Sequence, residues 1–402
     1  MRLPLDDIRV LDLSSVIAGP YCSYHLVQMG ATVIKIEQPG SGDAARRQGA
    51  DPALNARNMG ASFLGLNAGK RAITLNLKHP DGKAIFLRLL ATADVVLENF
   101  RPGVMERLGL GYEALRAERP GLVYCAISGF GQDTSYRAKP AYDQIVQGLS
   151  GAMATTGDAG SGPLRAGYPV SDTLGGINAA YAIVAALLQR ERDPAGTGQF
   201  IDVSMLDATI SAMGWATSNW LAAGQKPRLM GNDNFSASPS GSFRVADGLI
   251  NVAANMQPQF EAFCRIVGRE ALIADPRFPD PDARIQHRDA LKAELESALQ
   301  ERPGAEWVAA LNAAGVPAGP VLGLDEATRL PPVQERGSVQ RFEGVPGVER
   351  PFEVFRPAYR LSGGAPQTGE PPAQLGQHTD AVLAELGYSA EEIAAFREAG
   401  AV

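Results

Sequence analysis

The chain has 402 residues, 45% hydrophobic and 20% charged, with a formal net charge of -7. That length supports two domains with ample buried core, and the composition excludes a disordered or fibrous protein. Residues 1–110 carry 13 Lys/Arg against 10 Asp/Glu while the remainder is acidic; this suits a small polyanionic ligand bound near the N-terminus and lacks the basic stripe of a nucleic-acid binder.

Cys22, Cys125 and Cys264 stand far apart with no CxxC pair, so neither a disulfide framework nor a metal site is expected, and a reducing compartment is. Two acids, Asp6 and Asp7, interrupt the start before any apolar run develops, unlike a signal peptide. The longest apolar run, Ala179 to Leu188, is half the length of a membrane span. A cytoplasmic protein with no membrane or nucleic-acid partner is the expectation.

In chain order, Ile8 to Leu13 reads as a buried strand, Ala18-Gly19-Pro20 as a turn, Tyr21 to Met29 as a helix and Ala31 to Glu37 as a second strand. Strand, glycine turn, helix and strand within about 30 residues make a βαβ unit of a parallel sheet. The turn is not GxGxxG, so the ordinary dinucleotide fingerprint is absent, and Glu37 is not assigned to a ribose. A polar loop runs from Pro39 to Gly69. Then come a strand at Lys70–Lys78, a helix at Pro80–Ala91, a strand at Asp94–Phe100, a helix at Tyr112–Arg119 and a strand at Leu122–Ser128. These strands end in polar residues or glycine, where parallel sheets place ligands.

After a helix at Thr173–Arg190 and a strand at Phe200–Ser204, one long helix is expected from Met205 to Ala223. A polar loop, Gly231–Gly241, opens a different region. It contains a hairpin at Phe243–Ala254 with Asp-Gly at its turn and helices at Pro258–Val267, Arg284–Leu299 and Ala305–Ala314. Val339–Leu361 is strand-rich, 363–376 is a Pro/Gly loop, and two helices from His378 and Ser389 close the chain.

The stretch Gly167-Tyr168-Pro169-Val170-Ser171-Asp172-Thr173-Leu174-Gly175-Gly176 sets one acid among small and turn-forming residues at a helix start. Asp172 has two readings. It is an N-cap, accepting a hydrogen bond from a free backbone N–H, or it is a carboxylate nucleophile whose charge the same N–H groups stabilise.

Taken together, Asp12-Leu13 through Ala18-Gly19-Pro20, Gly30 to Glu37, Gly40-Ser41-Gly42-Asp43, Asn67 to Lys70-Arg71, Glu98-Asn99-Phe100-Arg101-Pro102-Gly103, Ser128-Gly129-Phe130-Gly131 and Gly376 to His378-Thr379-Asp380 resemble the class III coenzyme A transferases. That superfamily includes formyl-CoA and carnitine CoA-transferases and the α-methylacyl-CoA racemases, and the likeness covers nearly the whole chain in order. It implies an α/β fold: a Rossmann-like large domain built from both chain ends, a smaller inserted α+β domain, and an interlocked homodimer. The corresponding segments are 1–200, a linker helix at 201–230, the small domain at 231–322, and 323–402 returning to the large domain.

The resemblance places the catalytic aspartate on Asp172. It places coenzyme A contacts on Val16, Ile17, Ala18, Gln38, Leu75, Asn76, Leu77, Lys78, Asn99, Phe100, Arg101, Arg107, Lys139 and Tyr142. Position 38 is Gln where some members carry Arg. Coenzyme A or an acyl-CoA is then a substrate, with no permanently bound cofactor and no metal. The partner substrate is a small carboxylic acid, and succinyl-CoA or another short-chain acyl-CoA is the expected donor. Specificity is expected from Tyr142 and Asp143 and from the loop Asn232–Gly241, with Ser238, Ser240 and Gly241 at the substrate. Gly-rich turns near Gly175 and at Ser238–Gly241 are candidate oxyanion donors, and Arg165 is either structural or a contact for a second carboxylate.

The chemistry expected of Asp172 is covalent transfer through an aspartyl anhydride and an aspartyl-CoA thioester. A 2-methylacyl-CoA racemase is the alternative within the superfamily, but its histidine would fall at Ala141-Tyr142-Asp143, and there is no His between His79 and His287. A non-catalytic CoA-binding protein is the alternative of another class.

Overall fold

The computed structural model describes residues 3–362 and 369–402. Residues 363–368 of the expected Pro/Gly loop lie outside the described residues, as do Met1 and Arg2. The chain divides into two compact units: 1–152 with 165–225 and 332–402, and 153–164 with 226–331.

The first unit is built on six parallel strands: β1 (Arg9–Asp12), β2 (Thr32–Glu37), β3 (Arg71–Thr74), β4 (Val95–Glu98), β5 (Val123–Ser128) and β6 (Phe200–Ser204). They lie in the order β3-β2-β1-β4-β5-β6. Both faces of the sheet are covered, which is why β4 and β5 are buried along their whole length and read as unbroken apolar runs. One face packs Ile85, Phe86 and Leu89 of the helix Pro80–Leu90 together with Val382, Leu383 and Ile393 from near the C-terminus. The other face packs Leu26 of Ala18–Gln28 and Ala179, Ile183 and Leu187 of Val170–Arg192. Strand order reverses between β1 and β4, and the crevice at their carboxyl ends is where such sheets bind ligands. Asp12 ends β1 there and Glu98 ends β4.

Four helix readings differ from the structure. Ala18-Gly19-Pro20, expected as a turn before a helix at Tyr21–Met29, is the first turn of the helix Ala18–Gln28. The helix expected from Thr173 begins at Val170, so Asp172 sits inside its first turn and is not the N-cap; Pro169 is, with no side-chain cap bond. The helix expected over Met205–Ala223 is two, Met205–Ala212 and Trp215–Ala223, broken at Gly214. The segment expected as Arg284–Leu299 is Pro281–Gln286 followed by Arg288–Leu299.

The apolar run Ala179–Leu188 belongs to a 23-residue helix that is, by length and composition, long enough to cross a membrane. It buries Gly175, Gly176, Ala179, Ala180, Ile183 and Leu187 within the first unit, as a core helix does. The first unit also holds a hairpin of β10 (Val339–Phe342) with β11 (Phe352–Phe355).

The second unit is an antiparallel sheet of β7 (Ser240–Val245), β8 (Gly248–Ala253) and β9 (Ala318–Pro320), in that order. Ala246-Asp247 forms the two-residue turn between β7 and β8, and Gly248 follows it with φ 155°. Phe243, Ile250 and Val252 face Phe260, Phe263, Leu291, Leu295, Trp307 and Leu311 from three helices to make its core.

Candidate active site

Asp172 is half-buried in the first turn of the helix Val170–Arg192. Among the described residues no donor is hydrogen-bonded to its carboxylate. Burial, reinforced by the nearby charge of Asp143, raises its pKa to about 7. The expectation that helix-start N–H groups stabilise this carboxylate is overturned by geometry. Asp143 Oδ1 accepts from the N–H of Ser171 at 2.8 Å and from that of Asp172 at 3.4 Å. The helix is thus capped from outside by a second acid, which holds those donors and leaves Asp172 as an unpaired, weakly acidic carboxylate.

Gly175 and Gly176 lie in the continuous helix, so there is no glycine turn at Gly175 to form an oxyanion site. Their role is close packing. A Cβ at Gly176 would stand 2.5 Å from the carbonyl oxygen of Ala18, and one at Gly175 would stand 2.9 Å from Met205 Cγ. Backbone cannot yield as a side-chain tip can. Gly176→Ala is therefore expected to lower stability by about 2–3 kcal/mol, which urea unfolding would read, while Gly167→Ala, where an added Cβ meets nothing within 4 Å, should be close to neutral.

At the carboxyl end of β1, the loop Ser14–Ile17 is fixed by side chains from four segments. Asp12 Oδ1 accepts from the N–H of Ser14 at 2.9 Å and from its hydroxyl. Asn99 accepts from Ser15 N–H at 2.8 Å and donates to Ser15 O at 2.9 Å. Asp43 Oδ1 accepts from Val16 N–H at 3.0 Å, and Lys35 Nζ donates to Ser14 O at 2.8 Å. The result holds Val16 at φ 67°, a left-handed conformation that costs a β-branched residue about 1–3 kcal/mol.

The fixing groups form a buried ionic network. Lys35 pairs with Asp43 at 2.9 Å and Lys70 with Asp12 at 3.3 Å. Lys70 also donates to Asn67 Oδ1 at 2.8 Å and to Pro20 O at 3.0 Å. Burial alone would raise the pKa of Asp12, but Lys70 and Lys35 outweigh it and hold the carboxyl at about 2. Burial lowers Lys70 to about 8, with Asp12 opposing and Lys35 adding to the effect. Next to this set, Glu37 takes a two-pronged pair from Arg46, with both bonds 2.7 Å. Glu37 is thereby committed to structure.

The other expected contacts differ in exposure. Gln38, Lys78, Arg101, Arg107, Lys139 and Tyr142 are exposed in the first unit; Tyr142 is 73% exposed, and Lys139 lies 3.1 Å from the centroid of the Tyr136 ring. Ile17, the N-cap of Ala18–Gln28, and Phe100 and Leu77 are half-buried. Ala18 and Leu75, in contrast, are buried in the core, so only their backbone can face a ligand. Asn76 binds Gly400 O at 3.2 Å and its own N–H donates to Ala401 O, tying the C-terminus down. Asn99 is likewise engaged on Ser15. Asp143, expected at the acid substrate, is buried and turned onto the helix start. Arg165 is exposed and, among the described residues, donates to Ala166 O at 3.4 Å.

Ser238, Ser240 and Gly241 lie in the second unit. There, a cavity of about 550 Å³ is lined by Asn232, Asp233, Asn234, Ser240, Gly241 and Asn251 among others. Gly241 has φ 154°, and a Cβ on it would meet Asn232 O at 2.7 Å. Arg284, fully buried, donates to Ser238 O at 3.2 Å, and Arg288 donates to Asn234 O at 2.8 Å. The loop is therefore braced by arginines through its carbonyls. Among the described residues, no group of three or more His, Cys, Asp or Glu side chains is placed to hold a metal ion.

Sequence reasoning missed Glu98 and Gln147. Glu98, buried at the end of β4, is pushed up to about 8, by burial first and then by Glu106 and Asp202, although it accepts a bond from Phe100 N–H. Its apolar neighbours in Val95–Glu98 were the available signal. Gln147 bonds to Asp143 Oδ2 at 2.7 Å; its i+4 spacing on an ordinary helix face offers none.

The sequence matches the family described as CoA-transferase family III over residues 5–379. It is 40% identical over 352 residues to the acetyl-CoA:oxalate CoA-transferase of Acetobacter aceti, covering 87% of this chain and 89% of that one. It is 36% identical over 391 residues to the succinate–glutarate CoA-transferase of Agrobacterium fabrum, covering 95% and 96%. Among solved structures, a CAIB/BAIF family protein from Brucella suis superposes with a TM-score of 0.85 at 33% identity, covering 96% of this chain and 100% of that one. With the six-stranded parallel sheet and an unpaired helix-start aspartate already in place, these likenesses across the chain establish that it is an enzyme of CoA-transferase family III.

Proposed function

We propose that the enzyme exchanges coenzyme A between an acyl-CoA and a free carboxylic acid through covalent intermediates on Asp172. The observation that carries this reading is the half-buried Asp172 carboxylate, free of hydrogen-bond donors and with its pKa raised to about 7. Such a group is ionised in a substantial fraction near neutral pH and more nucleophilic than an ordinary aspartate.

In the first step an Asp172 oxygen attacks the thioester carbonyl carbon. The C–S bond breaks, CoA leaves as thiolate, and an aspartyl-acyl anhydride remains. The thiolate then attacks the Asp172 side-chain carbonyl, the donor acid leaves as carboxylate, and an aspartyl-CoA thioester forms. The acceptor carboxylate opens that thioester by the same two steps in reverse, which restores the free Asp172 carboxylate. No step needs an external energy source, because one thioester replaces another. Holding the reacting groups in line can lower the barrier by roughly 7–11 kcal/mol. The ordered loop Ser14–Ile17, with exposed Gln38, Lys78, Arg101, Arg107, Lys139 and Tyr142, is the proposed coenzyme A surface; Asn76, Leu75, Ala18, Asn99 and Phe100 support it.

The acid substrates we propose are short dicarboxylic acids, in keeping with the oxalate, glutarate and succinate in the names of its relatives. The second-unit segment Asn232–Gly241, with Ser238 in the loop and Ser240 and Gly241 at the start of β7, is the proposed specificity element. Self-association is part of the reading. The helix Trp215–Ala223 buries none of its residues, with Trp215 67% and Leu221 77% exposed, and apolar surface of this kind marks an interaction site. The proposed assembly is the interlocked homodimer, which light scattering would read as twice the mass of one chain. The three buried free cysteines favour a reducing, cytoplasmic setting, and the packing of Val170–Arg192 into the first unit favours one away from membranes.

The test is chemical trapping. Incubation with succinyl-CoA or acetyl-CoA and hydroxylamine should convert Asp172 to a hydroxamate, visible as a 15 Da gain on the peptide that carries it. If the enzyme exchanges label between acyl-CoA and acid while no such gain ever appears at Asp172, the nucleophile is elsewhere.

A further inference from the structure

The helix that carries Asp172 has no side-chain cap of its own. Its start is instead held by the helix Asp143–Leu149, a segment 28 residues away in sequence. Asp143 Oδ1 takes the N–H groups of Ser171 and Asp172, as described above. Its second oxygen, Oδ2, accepts from Gln147 Nε2 at 2.7 Å. Gln147, 1% exposed, uses its remaining groups on the same approach strand of chain: its Oε1 accepts from Ala166 N–H at 2.8 Å, and its Nε2 lies 3.4 Å from Tyr168 O. Two side chains on one helical face thus grip residues 166, 168, 171 and 172. The loop ahead of Asp172 is exposed at Gly167 and Tyr168, so without this grip little else would hold it in register.

We propose that Asp143 and Gln147 are a positioning pair for the transfer reaction, fixing the Asp172 carboxylate on its helix start and withholding from it the N–H groups that would otherwise quench its charge. Neither residue touches the thioester. The inference rests on Asp172 being the nucleophile and assigns the reason it is a competent one. A carboxylate bound by helix N–H groups is a weak nucleophile, because those bonds must be broken before it attacks. By taking them itself, Asp143 leaves the half-buried Asp172 carboxylate free of those donors. Its own negative charge adds to the effect, and three N–H groups donate to its two oxygens.

The elements packed against Val170–Arg192 present other titratable groups: Tyr21, Cys22, Tyr24 and His25 on Ala18–Gln28, Asp207 on Met205–Ala212, Tyr124 and Cys125 on β5, and Asp202 on β6. None of these elements carries a lysine or arginine. Of the titratable set, Asp143 is the group whose charge acts on Asp172.

The experiment measures single-turnover hydroxamate formation at Asp172 with succinyl-CoA and with acetyl-CoA, as a function of pH, in wild type, Asp143→Asn and Gln147→Leu. Asp143→Asn keeps the shape and removes the charge, so the acid limb of trapping should move down by about one pH unit. Gln147→Leu should lower the trapping rate about 10- to 100-fold while the half-saturating acyl-CoA concentration changes less than twofold. A merely structural role would lower the amount of folded enzyme and move neither the limb nor the ratio. Should Asp143→Asn not fold, Gln147→Leu decides alone. Trapping in both variants at the wild-type rate and with the wild-type limb overturns the pair while leaving Asp172 as nucleophile. Absence of label in wild type overturns both.

Discussion

Asp172→Asn should abolish coenzyme A exchange, by at least about 10⁴-fold as for other covalent nucleophiles, and at the same time make the protein more stable above neutral pH. An asparagine amide of the same shape cannot form the anhydride, so nothing of the covalent route survives. The gain in stability follows from the raised pKa. In the unfolded chain the carboxyl ionises near 3.8; in the folded protein it stays protonated until about 7, because burial and then Asp143 disfavour the charge. Between those values the unfolded state releases a proton that the folded state keeps, so wild-type stability falls as pH rises and levels off above about 7. The ceiling on that loss is about 4 kcal/mol, and the partial solvent contact of Asp172 makes the actual figure smaller. Asparagine carries no such penalty. Urea unfolding should therefore show the variant ahead of wild type at pH 8, with the gap closing as pH approaches 4. A gap that stays constant with pH would mean that the carboxyl titrates as an ordinary exposed one, and the case for a primed nucleophile would be lost.

The same acid shows how far the sequence reaches. Asp172 stood out as a candidate because glycines, a proline and small residues surround it and the family resemblance falls on it, whereas its pKa is set by burial and then by Asp143, whose contact no local pattern encodes. The parallel strands were legible for a simpler reason: β4 and β5 are buried on both faces and carry unbroken apolar runs. Where the reading of helices failed, one residue often decided. Gly214 breaks Met205–Ala223 with φ 50°, inside a run of otherwise helix-compatible residues. The N-terminal motifs were recognised as belonging together without their purpose being visible. Asp12, Lys35, Asp43 and Asn99 converge on one loop, Asn99 from 84 residues beyond Ser15, and Lys70 holds Asp12 in turn. Lys35 is the clearest case. In the strand Thr32–Glu37 it occupies a position that alternation would give to solvent, yet it is fully buried.

That burial makes Lys35→Met strongly destabilising although it nearly conserves volume. Burial pulls the Lys35 pKa down, but Asp43, Asp12 and Glu37 together more than offset it and raise it above the usual lysine value. The ammonium is therefore charged at every physiological pH. Methionine fills much of the same space but leaves Asp43 without its cation and the Ser14 carbonyl without its donor. Breaking a buried ion pair from one side costs about 3–5 kcal/mol, a large part of the stability of a typical domain. Urea unfolding should show that loss. Any enzyme that remains folded should need about tenfold more acyl-CoA for half-saturation, because Ser14–Val16 loses one of the groups holding Val16 in its strained conformation. Adding Asp43→Asn should recover part of the stability, since the second change removes the stranded charge, and the double variant should be less destabilised than the two single changes summed. It should not recover the affinity, because the Ser14 carbonyl still lacks its Lys35 donor. Stability and affinity would then separate: the ion pair acts on the fold through charge balance and on coenzyme A through the shape of one loop. Full recovery of both in the double variant would show that the network serves the fold alone, with no part in ordering the loop for its ligand.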